Sequence, residues 1–294
     1  MTNRNLSYLS LMMAQMMVGI NIVGSKYLVQ DMPVLMILFI RFSIASAFLY
    51  LIHCCVADQK SLKLATLNRR DWQYIFAQAL CAGVLFNFFL LLGLHYTEAS
   101  VAGIITSVLP AIIAVLSVIF LKERLNLFSV LCIMFAISGL LIINAPNFAM
   151  AKLDGLLGDA IILLSLLPEA AYYVLAKIYD NKLPLFFAAT LMNAINLPFL
   201  LIALLIGGHW QVQFTLVNSS ILLIAGISSG LFYVFWFWGC KQVKGSVAGL
   251  FTAFMPVATL IVAWIGLGER ITLLQTIGMI LVMTSVIFNA KRDN

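Results

Sequence analysis

Glu169 is the residue with the clearest chemical potential, because its carboxyl group lies inside a long apolar run, residues 155–177. Pro168 precedes it, and Tyr172 and Tyr173 follow at the three- and four-residue spacing that places side chains on one helix face. A carboxylate in hydrocarbon costs on the order of 2.5–3.5 kcal/mol and usually faces a cavity or a partner. Beside aromatic faces it could bind an ammonium group through charge and cation–π attraction, or it could carry a coupling proton.

Arg41 is the alternative partner for this carboxylate. Glu169 and Arg41 each lie about eight residues inside a predicted span, from opposite sides, or roughly 12 Å deep at 1.5 Å per residue. In a hydrocarbon core about 30 Å thick, the two groups could therefore lie about 6 Å apart in depth. We expect Glu169 either to bind substrate or to form an internal ion pair with Arg41. The two roles are compatible if the pair breaks during a working cycle.

The composition places these groups in a lipid bilayer. Hydrophobic residues make up 63% of the chain and charged residues 10%, whereas soluble domains carry about 25% charged residues. A helix crosses the hydrocarbon with roughly 20 apolar residues, and the runs here are apolar on all sides, which favours helices over a barrel. The predicted spans are 6–28, 33–57, 72–94, 99–121, 127–145, 155–177, 184–207, 219–240, 246–267 and 272–290.

Lysine and arginine in the loops between these spans predict the orientation. Counting alternate sides from the N-terminus, thirteen of these residues fall on one side and three on the other. Cytoplasmic loops carry the excess of positive charge, so we expect both termini in the cytoplasm and the protein in a cell membrane. The same distribution accounts for the net charge of +6 without a nucleic-acid partner.

An internal repeat predicts the architecture. Residues 93–125 align without gaps to residues 239–271, and eleven of the thirty-three positions are identical. The identities that apolar composition does not explain include Ser100/Ser246, Gly103/Gly249, Pro110/Pro256, Glu123/Glu269 and Arg124/Arg270. Each half holds five spans, an odd number, so the second copy must be inverted. We predict an all-α fold of two inverted five-helix repeats, residues 1–148 and 149–294, with a substrate site near the midplane between them.

Two prolines mark equivalent points in the repeat. Pro110 and Pro256 lie near the middle of spans 4 and 9, where each removes a backbone donor and frees the carbonyl group four residues earlier. Those carbonyl groups belong to Thr106 and Thr252. A freed carbonyl group at membrane depth must find a partner in protein or cavity water. The sequence thus predicts a pair of helix kinks, either beside the substrate path as gates or required only for packing.

Four further side chains are candidates for the same site. Asn87 and Tyr233 occupy equivalent repeat positions deep in spans 3 and 8, and Trp236 follows Tyr233 by one helical turn. Asn21 is a similar polar residue in span 1. Interhelical hydrogen bonding explains the asparagines equally well, and aromatic packing explains the tyrosine and tryptophan equally well.

These motifs together resemble the drug/metabolite transporter superfamily, specifically its ten-helix EamA-type members, over nearly the whole chain. In each half a proline-containing helix ends in Glu-Arg-Leu or Glu-Arg-Ile, and a glycine-containing helix follows. The matching residues are Pro110, Glu123–Leu125 and Gly139, then Pro256, Glu269–Ile271 and Gly278, with Leu38–Phe42 resembling the second helix. The first helix lacks the Trp-Gly pair common in the family. The resemblance implies a 5+5 fold, a cavity lined by helices 1, 3, 4, 6, 8 and 9, and transport of metabolites, amino acids or amines.

The motifs of other function classes are missing from the sequence. It contains no phosphate-binding loop of the kind that binds ATP and no His-Glu-x-x-His motif. We therefore predict a carrier without a cofactor or metal, driven by a gradient or passive, for amino acids, amines or drug-like cations. Its expected partners are the small solute, membrane lipid and a coupling proton or ion. An intramembrane lipid-modifying enzyme and a non-transporting membrane subunit are the alternatives.

Overall fold

The computed structural model describes residues 3–28, 31–56, 67–96, 105–106, 108–143, 156–178, 183–207, 214–241, 243–268 and 270–293. Regular structure in these ranges is α-helical, apart from one π-helical turn at Cys81–Leu85. The helices are α1 (Asn3–Leu28), α2 (Val34–Val56), α3 (Arg69–Leu80), α4 (Phe86–Tyr96), α5 (Leu109–Leu121), α6 (Leu127–Ile143), α7 (Leu156–Ile178), α8 (Leu185–Ala194), α9 (Leu197–Gly207), α10 (Leu216–Cys240), α11 (Gly245–Phe251), α12 (Phe254–Leu267) and α13 (Leu273–Asp293).

These helices form ten transmembrane spans. Seven segments of the described chain are long and apolar enough to cross a membrane, and α5, α6 and α13 are shorter apolar helices. In chain order the spans are α1, α2, α3 with α4, α5, α6, α7, α8 with α9, α10, α11 with α12, and α13. An even number of spans places the start of α1 and the end of α13 on one side, the terminal face; the opposite side is the distal face.

The helix contacts follow the symmetry of an inverted repeat. Exchanging each span with the one five places along converts the contact between spans 1 and 8 into that between spans 6 and 3. The same exchange converts the contact between spans 1 and 9 into that between spans 6 and 4, and the contact between spans 2 and 8 into that between spans 7 and 3. The contacts of span 2 with span 7, span 4 with span 9 and span 5 with span 10 are unchanged by the exchange. All of these contacts are present in the structure. The predicted fold of two inverted five-helix repeats is therefore confirmed. Because the two halves interleave, each span of one half packs mainly on spans of the other.

The repeat extends to the backbone at the ends of α5 and α12. Lys122 and Gly268 are equivalent positions, and each is a left-handed C-cap, with φ of 55° and 67°. Glycine adopts this conformation without steric cost, whereas other L-residues pay roughly 1–2 kcal/mol. Because a lysine and a glycine adopt the same left-handed conformation, the duplicated fold, and not the residue type, determines how these two helices end.

Span 3 and span 7 each contain a break that the sequence analysis did not predict. Asn196, at the junction of α8 and α9, accepts a hydrogen bond from the Val84 amide at 3.2 Å and donates one to the Met192 carbonyl group at 2.7 Å. Val84 lies in the π-helical turn, where the regular hydrogen-bond ladder is interrupted. A side chain at Gly83 would occupy the position of the Asn196 amide. The two breaks thus satisfy each other across the interface between spans.

Candidate functional site

Glu169 lies in the middle of α7, with its side chain only 9% exposed. Pro168 stands beside it inside the helix, where a proline ring removes one rung of the hydrogen-bond ladder. The hydroxyl group of Tyr173, one turn further on, lies within hydrogen-bonding reach of the Glu169 carboxyl group. The predicted proximity of the carboxylate to Tyr173 on one helix face is therefore present in the structure.

Tyr173 connects this carboxylate to two other spans. Its ring meets the Trp236 ring of α10 edge to face, with ring centroids 4.5 Å apart. Gln15 of α1 lies near the Tyr173 hydroxyl group but makes no hydrogen bond of ordinary geometry with it. Tyr172 packs edge to face on Tyr233 of α10, with centroids 5.8 Å apart. Side chains from spans 1, 6 and 8 therefore converge around one carboxylate.

We call this group the Glu169 cluster; its members are Gln15, Glu169, Tyr172, Tyr173, Tyr233 and Trp236. All six side chains are at most 9% exposed. Five of the six were candidates from sequence. Gln15 was missed, although a single amide inside the apolar run Met12–Met17 is a readable signal.

Several polar atoms of the Glu169 cluster have no hydrogen-bond partner. In the described part of the chain these are both side-chain polar atoms of Gln15, the hydroxyl group of Tyr172 and the indole nitrogen of Trp236. Leaving a buried polar group unpaired costs about 1–3 kcal/mol. Such a concentration of unpaired groups beside a carboxylate is typical of a site that binds a polar ligand.

Arg41 does not pair with Glu169 in this conformation. Its Nη1 donates a hydrogen bond to Ser25 Oγ at 3.3 Å, and its guanidinium carbon lies 5.2 Å from the centroid of the Phe42 ring. Arg41 belongs to α2, which packs chiefly on α8, α9 and α10 and not on α7. Similar depth in the membrane therefore does not bring the two charges together, and among the described residues no cationic side chain contacts Glu169.

Asn21 and Asn87 use their amides in protein contacts. Asn21 accepts a hydrogen bond from Ser229 Oγ at 3.0 Å and donates one to the Met17 carbonyl group at 3.0 Å, which joins α1 to α10. Asn87 donates to the Gly83 carbonyl group at 2.6 Å, beside the π-helical turn. These hydrogen bonds agree with a structural role for both asparagines. Within the described residues, neither asparagine forms a hydrogen bond with a member of the Glu169 cluster.

The proline in span 9 stands just after a break. α11 ends at Phe251 and α12 begins at Phe254, so Pro256 occupies the first turn of the second segment. The Thr252 carbonyl group accepts the Met255 amide at 3.0 Å, and the Thr252 hydroxyl group donates to the Gly249 carbonyl group at 2.6 Å. The carbonyl group expected to be freed by Pro256 thus has a local partner.

The proline in span 4 has the matching place. Pro110 lies in the first turn of α5, directly after its N-terminus. Thr106 is helical and half-buried just before it, and Ser107 lies outside the described residues. Pro110 and Pro256 therefore both stand in the first turn of a helix, and the pair of kinks stays a prediction.

Contacts near the terminal face join spans 1 and 4 to span 9. The Tyr8 ring of α1 stacks on the Phe251 ring at the end of α11, with centroids 5.6 Å apart and planes 11° apart. The Glu123 carboxylate accepts hydrogen bonds from the amides of Gly245 and Ser246, at 2.5 and 2.9 Å, and from the Ser246 hydroxyl group at 2.7 Å. Glu123 of one repeat therefore caps a helix of the other.

An open cavity of about 40 Å³ lies at the terminal face beside this cap, not at the Glu169 cluster. Arg124, Lys244 and Asn289 are among its lining residues. The side chains of the Glu169 cluster are buried in this conformation. Within the described residues no group of three or more His, Cys, Asp and Glu side chains could hold a metal ion.

Comparisons with known proteins agree with this architecture. The EamA-like transporter family matches residues 5–145 and 156–290, so the match covers both repeats. This chain belongs to the EamA-like transporter family. A solved crystal structure with 14% sequence identity superimposes with a TM-score of 0.83 over 99% of each chain, which shows the same fold.

Curated relatives carry transporter names. The uncharacterized transporter YetK of Bacillus subtilis is 28% identical over 287 residues, covering 95% of this chain and 85% of the relative. An uncharacterized transporter of Archaeoglobus fulgidus is 28% identical over 274 residues, covering 91% and 92%. YoaV of Bacillus subtilis, also named an uncharacterized transporter, is 23% identical over 280 residues and covers 92% of each chain. Family and relatives together identify a multi-pass membrane protein of the transporter class.

Proposed function

We propose that this protein is a secondary carrier that moves small solutes bearing an ammonium group, either amines or amino acids, across the membrane by alternating access. The observation that carries the proposal is Glu169. Its carboxylate is buried at the middle of a span, and in the described part of the chain no cationic side chain contacts it. An ionisable carboxyl group at this depth is a functional group by default.

The surroundings of Glu169 favour a cation over other ligands. The rings of Tyr173 and Trp236 lie 4.5 Å apart beside it, and aromatic faces attract ammonium groups by about 0.5–2 kcal/mol each when desolvated. An anion would be repelled by the carboxylate, and a neutral apolar solute would leave it unpaired. An ammonium group satisfies the carboxylate and the ring faces together.

The symmetry of the bundle supports alternating access. The Glu169 cluster lies where spans of both repeats interleave, and inverted repeats allow two related conformations that open on opposite faces. In the present conformation the Tyr8–Phe251 stack and the Glu123 cap join spans 1 and 4 to span 9 near the terminal face. The breaks before Pro110 and Pro256 provide places where spans 4 and 9 can bend. A solute gradient, with or without a coupled proton, would supply the energy.

The test is solute counterflow in proteoliposomes with radiolabelled amines and amino acids. We expect exchange of labelled for unlabelled solute by the wild-type protein. Glu169→Gln should weaken solute binding by about 10–100-fold, because it removes a charged hydrogen-bond partner worth about 1.5–3 kcal/mol. Asp159→Asn, which removes a carboxylate from the first turn of the same helix, serves as the matched control and should retain exchange.

Three outcomes would contradict the proposal. Normal exchange by the Glu169→Gln protein would exclude this carboxylate from the solute site. Exchange of anions in place of ammonium compounds would contradict the charge argument. An absence of any exchange, combined with chemical conversion of lipid, would favour an intramembrane enzyme.

A further inference from the structure

We infer that Gln15, Tyr172 and Trp236 form a hydrogen-bonding subsite beside Glu169 that binds an oxygen atom of the solute. The inference rests on the proposed function and narrows its substrate class. The solute would be an amine that also carries a hydroxyl, carbonyl or carboxyl oxygen, such as an amino alcohol or an amino acid. Plain alkylammonium ions and quaternary ammonium ions would be poorer ligands.

The first support is that these three residues are fully enclosed and unpaired. Gln15 and Trp236 are 0% exposed and Tyr172 is 1% exposed. Within the described residues the Gln15 amide, the Tyr172 hydroxyl group and the Trp236 indole nitrogen make no hydrogen bond. Four unpaired polar atoms therefore come from three different spans.

The second support is that these residues converge through Tyr173. The hydroxyl group of Tyr173 lies close to both the Glu169 carboxyl group and the Gln15 amide, and the amide forms no hydrogen bond of ordinary geometry with it. Its ring lies 4.5 Å from that of Trp236 and 5.1 Å from that of Tyr172, measured between centroids. The unpaired groups thus belong to residues that pack on or lie near Tyr173, the same residue that lies beside Glu169.

The third support is the contrast with other buried polar side chains in the described bundle. Asn21 pairs with Ser229, and Asn196 pairs with the Val84 amide. Arg41 and Asn193 each retain one unpaired atom but use another atom in a hydrogen bond. Ser117 is also unpaired, as a single hydroxyl group. Gln15 differs because both ends of its amide are unpaired.

The donor and acceptor types then define the ligand. The indole N–H of tryptophan only donates, the glutamine amide donates and accepts, and a tyrosine hydroxyl group can donate. A ligand that satisfies these groups must present an acceptor, and an oxygen atom is the acceptor available in small metabolites. Since Glu169 takes the ammonium group, the oxygen must lie on a neighbouring atom of the same solute.

The experiment compares matched ligands on the full-length protein in detergent. Ethanolamine is compared with propylamine, and leucinol with 5-methylhexan-3-amine; in each pair a methyl group replaces the hydroxyl group and the shape is kept. Affinity is measured by the shift of the thermal unfolding midpoint across a concentration series. We expect the wild-type protein to prefer each oxygen-bearing amine by about 2–12-fold, the yield of one net hydrogen bond.

Two variants separate this inference from the proposed function. Gln15→Leu should abolish the preference for oxygen while the plain amines still bind, whereas Glu169→Gln should weaken all four ligands. If Glu169→Gln has no effect on any ligand, the proposed function fails. If Gln15→Leu keeps the preference, or if the wild-type protein distinguishes neither pair, the subsite inference fails.

The stability of the unliganded variants gives a readout that needs no ligand. Gln15→Leu removes an unpaired amide, so its unfolding midpoint should equal or exceed that of the wild-type protein. Asn21→Leu removes a paired amide from the same helix and should lower the midpoint, which makes it the matched control. A fall for Gln15→Leu as large as that for Asn21→Leu would show that Gln15 is structural and would overturn the inference.

Discussion

The side chains of the Glu169 cluster are stabilised less well than their neighbours. Each unpaired buried polar group costs about 1–3 kcal/mol, and Gln15, Tyr172 and Trp236 all carry such groups in the described structure. Cys132, by comparison, uses its carbonyl group to accept a hydrogen bond from Ser285 inside the same bundle. Four of the seven unpaired buried side-chain polar atoms in the described residues belong to this cluster, which favours this position as the place where a ligand contributes the missing bonds.

Tyr173→Phe is a direct test of the residue that connects the cluster. The change removes the hydroxyl group that lies within hydrogen-bonding reach of Glu169 and close to Gln15, while the ring that packs on Trp236 is kept. We expect binding of amines to weaken about tenfold, as for the loss of one charged hydrogen bond, with little loss of stability. Tyr50→Phe, at a 50% exposed position, is the control in the same thermal-shift titration. Equal affinities in the two variants would place the Tyr173 hydroxyl group outside the site.

At the scale of helices, interruptions occur where the two halves meet. The π-helical turn of span 3 faces the α8–α9 junction, and the α11–α12 break lies in span 9, which packs on spans 1 and 4. Local partners such as Asn196 and Thr252 satisfy the backbone at these breaks. Breaks that are satisfied in place allow a helix to bend without exposing backbone to lipid, which suits a bundle that must alternate between two shapes.

Glu123→Ala tests the contact that joins the two repeats at the terminal face. The carboxylate holds two amides and one hydroxyl group at the start of α11, and each charged hydrogen bond contributes about 1.5–3 kcal/mol. We expect a lower unfolding midpoint in detergent for this variant. Arg124→Ala, at the adjacent exposed position, should change the midpoint little. An identical midpoint for both variants would show that the cap does not stabilise this conformation.

The whole molecule is a symmetric pair of interleaved halves, and this arrangement determines where its ends lie. With ten spans, α1 begins and α13 ends on the terminal face. The predicted loops on this side hold thirteen of the lysine and arginine residues, against three on the distal side. The positive-inside rule therefore predicts that the terminal face is the cytoplasmic one.

Reporter fusions test this topology. A reporter that is active only in the cytoplasm should be active when fused to either end of the chain, and a reporter that requires export should be inactive at both ends. The loop that follows α2 provides a third fusion site on the same side, and the loop that follows α1 provides a control on the other. Activity of the two ends on opposite faces would contradict the ten-span fold and the inverted repeat with it.

Much of the fold was predictable because hydrophobicity is a local and additive property. The ten predicted spans correspond to the helical segments from Asn3–Leu28 to Leu273–Asp293, with ends that differ by a few residues. The repeat was readable because duplicated residues such as Pro110 and Pro256 keep their register. The boundary between residues 148 and 149 stays a prediction.

The residues of the candidate site were determined partly by positions along one helix and partly by contacts between helices. The depth of Glu169 and its shared helix face with Tyr172 and Tyr173 follow from counting along one helix, so the sequence alone determined them. Only the tertiary structure decided which side chains from other spans meet this carboxylate. It brought Gln15 to Tyr173 and left Arg41 beside Ser25, because contacts between helices depend on their rotation and packing partners, which no local pattern encodes.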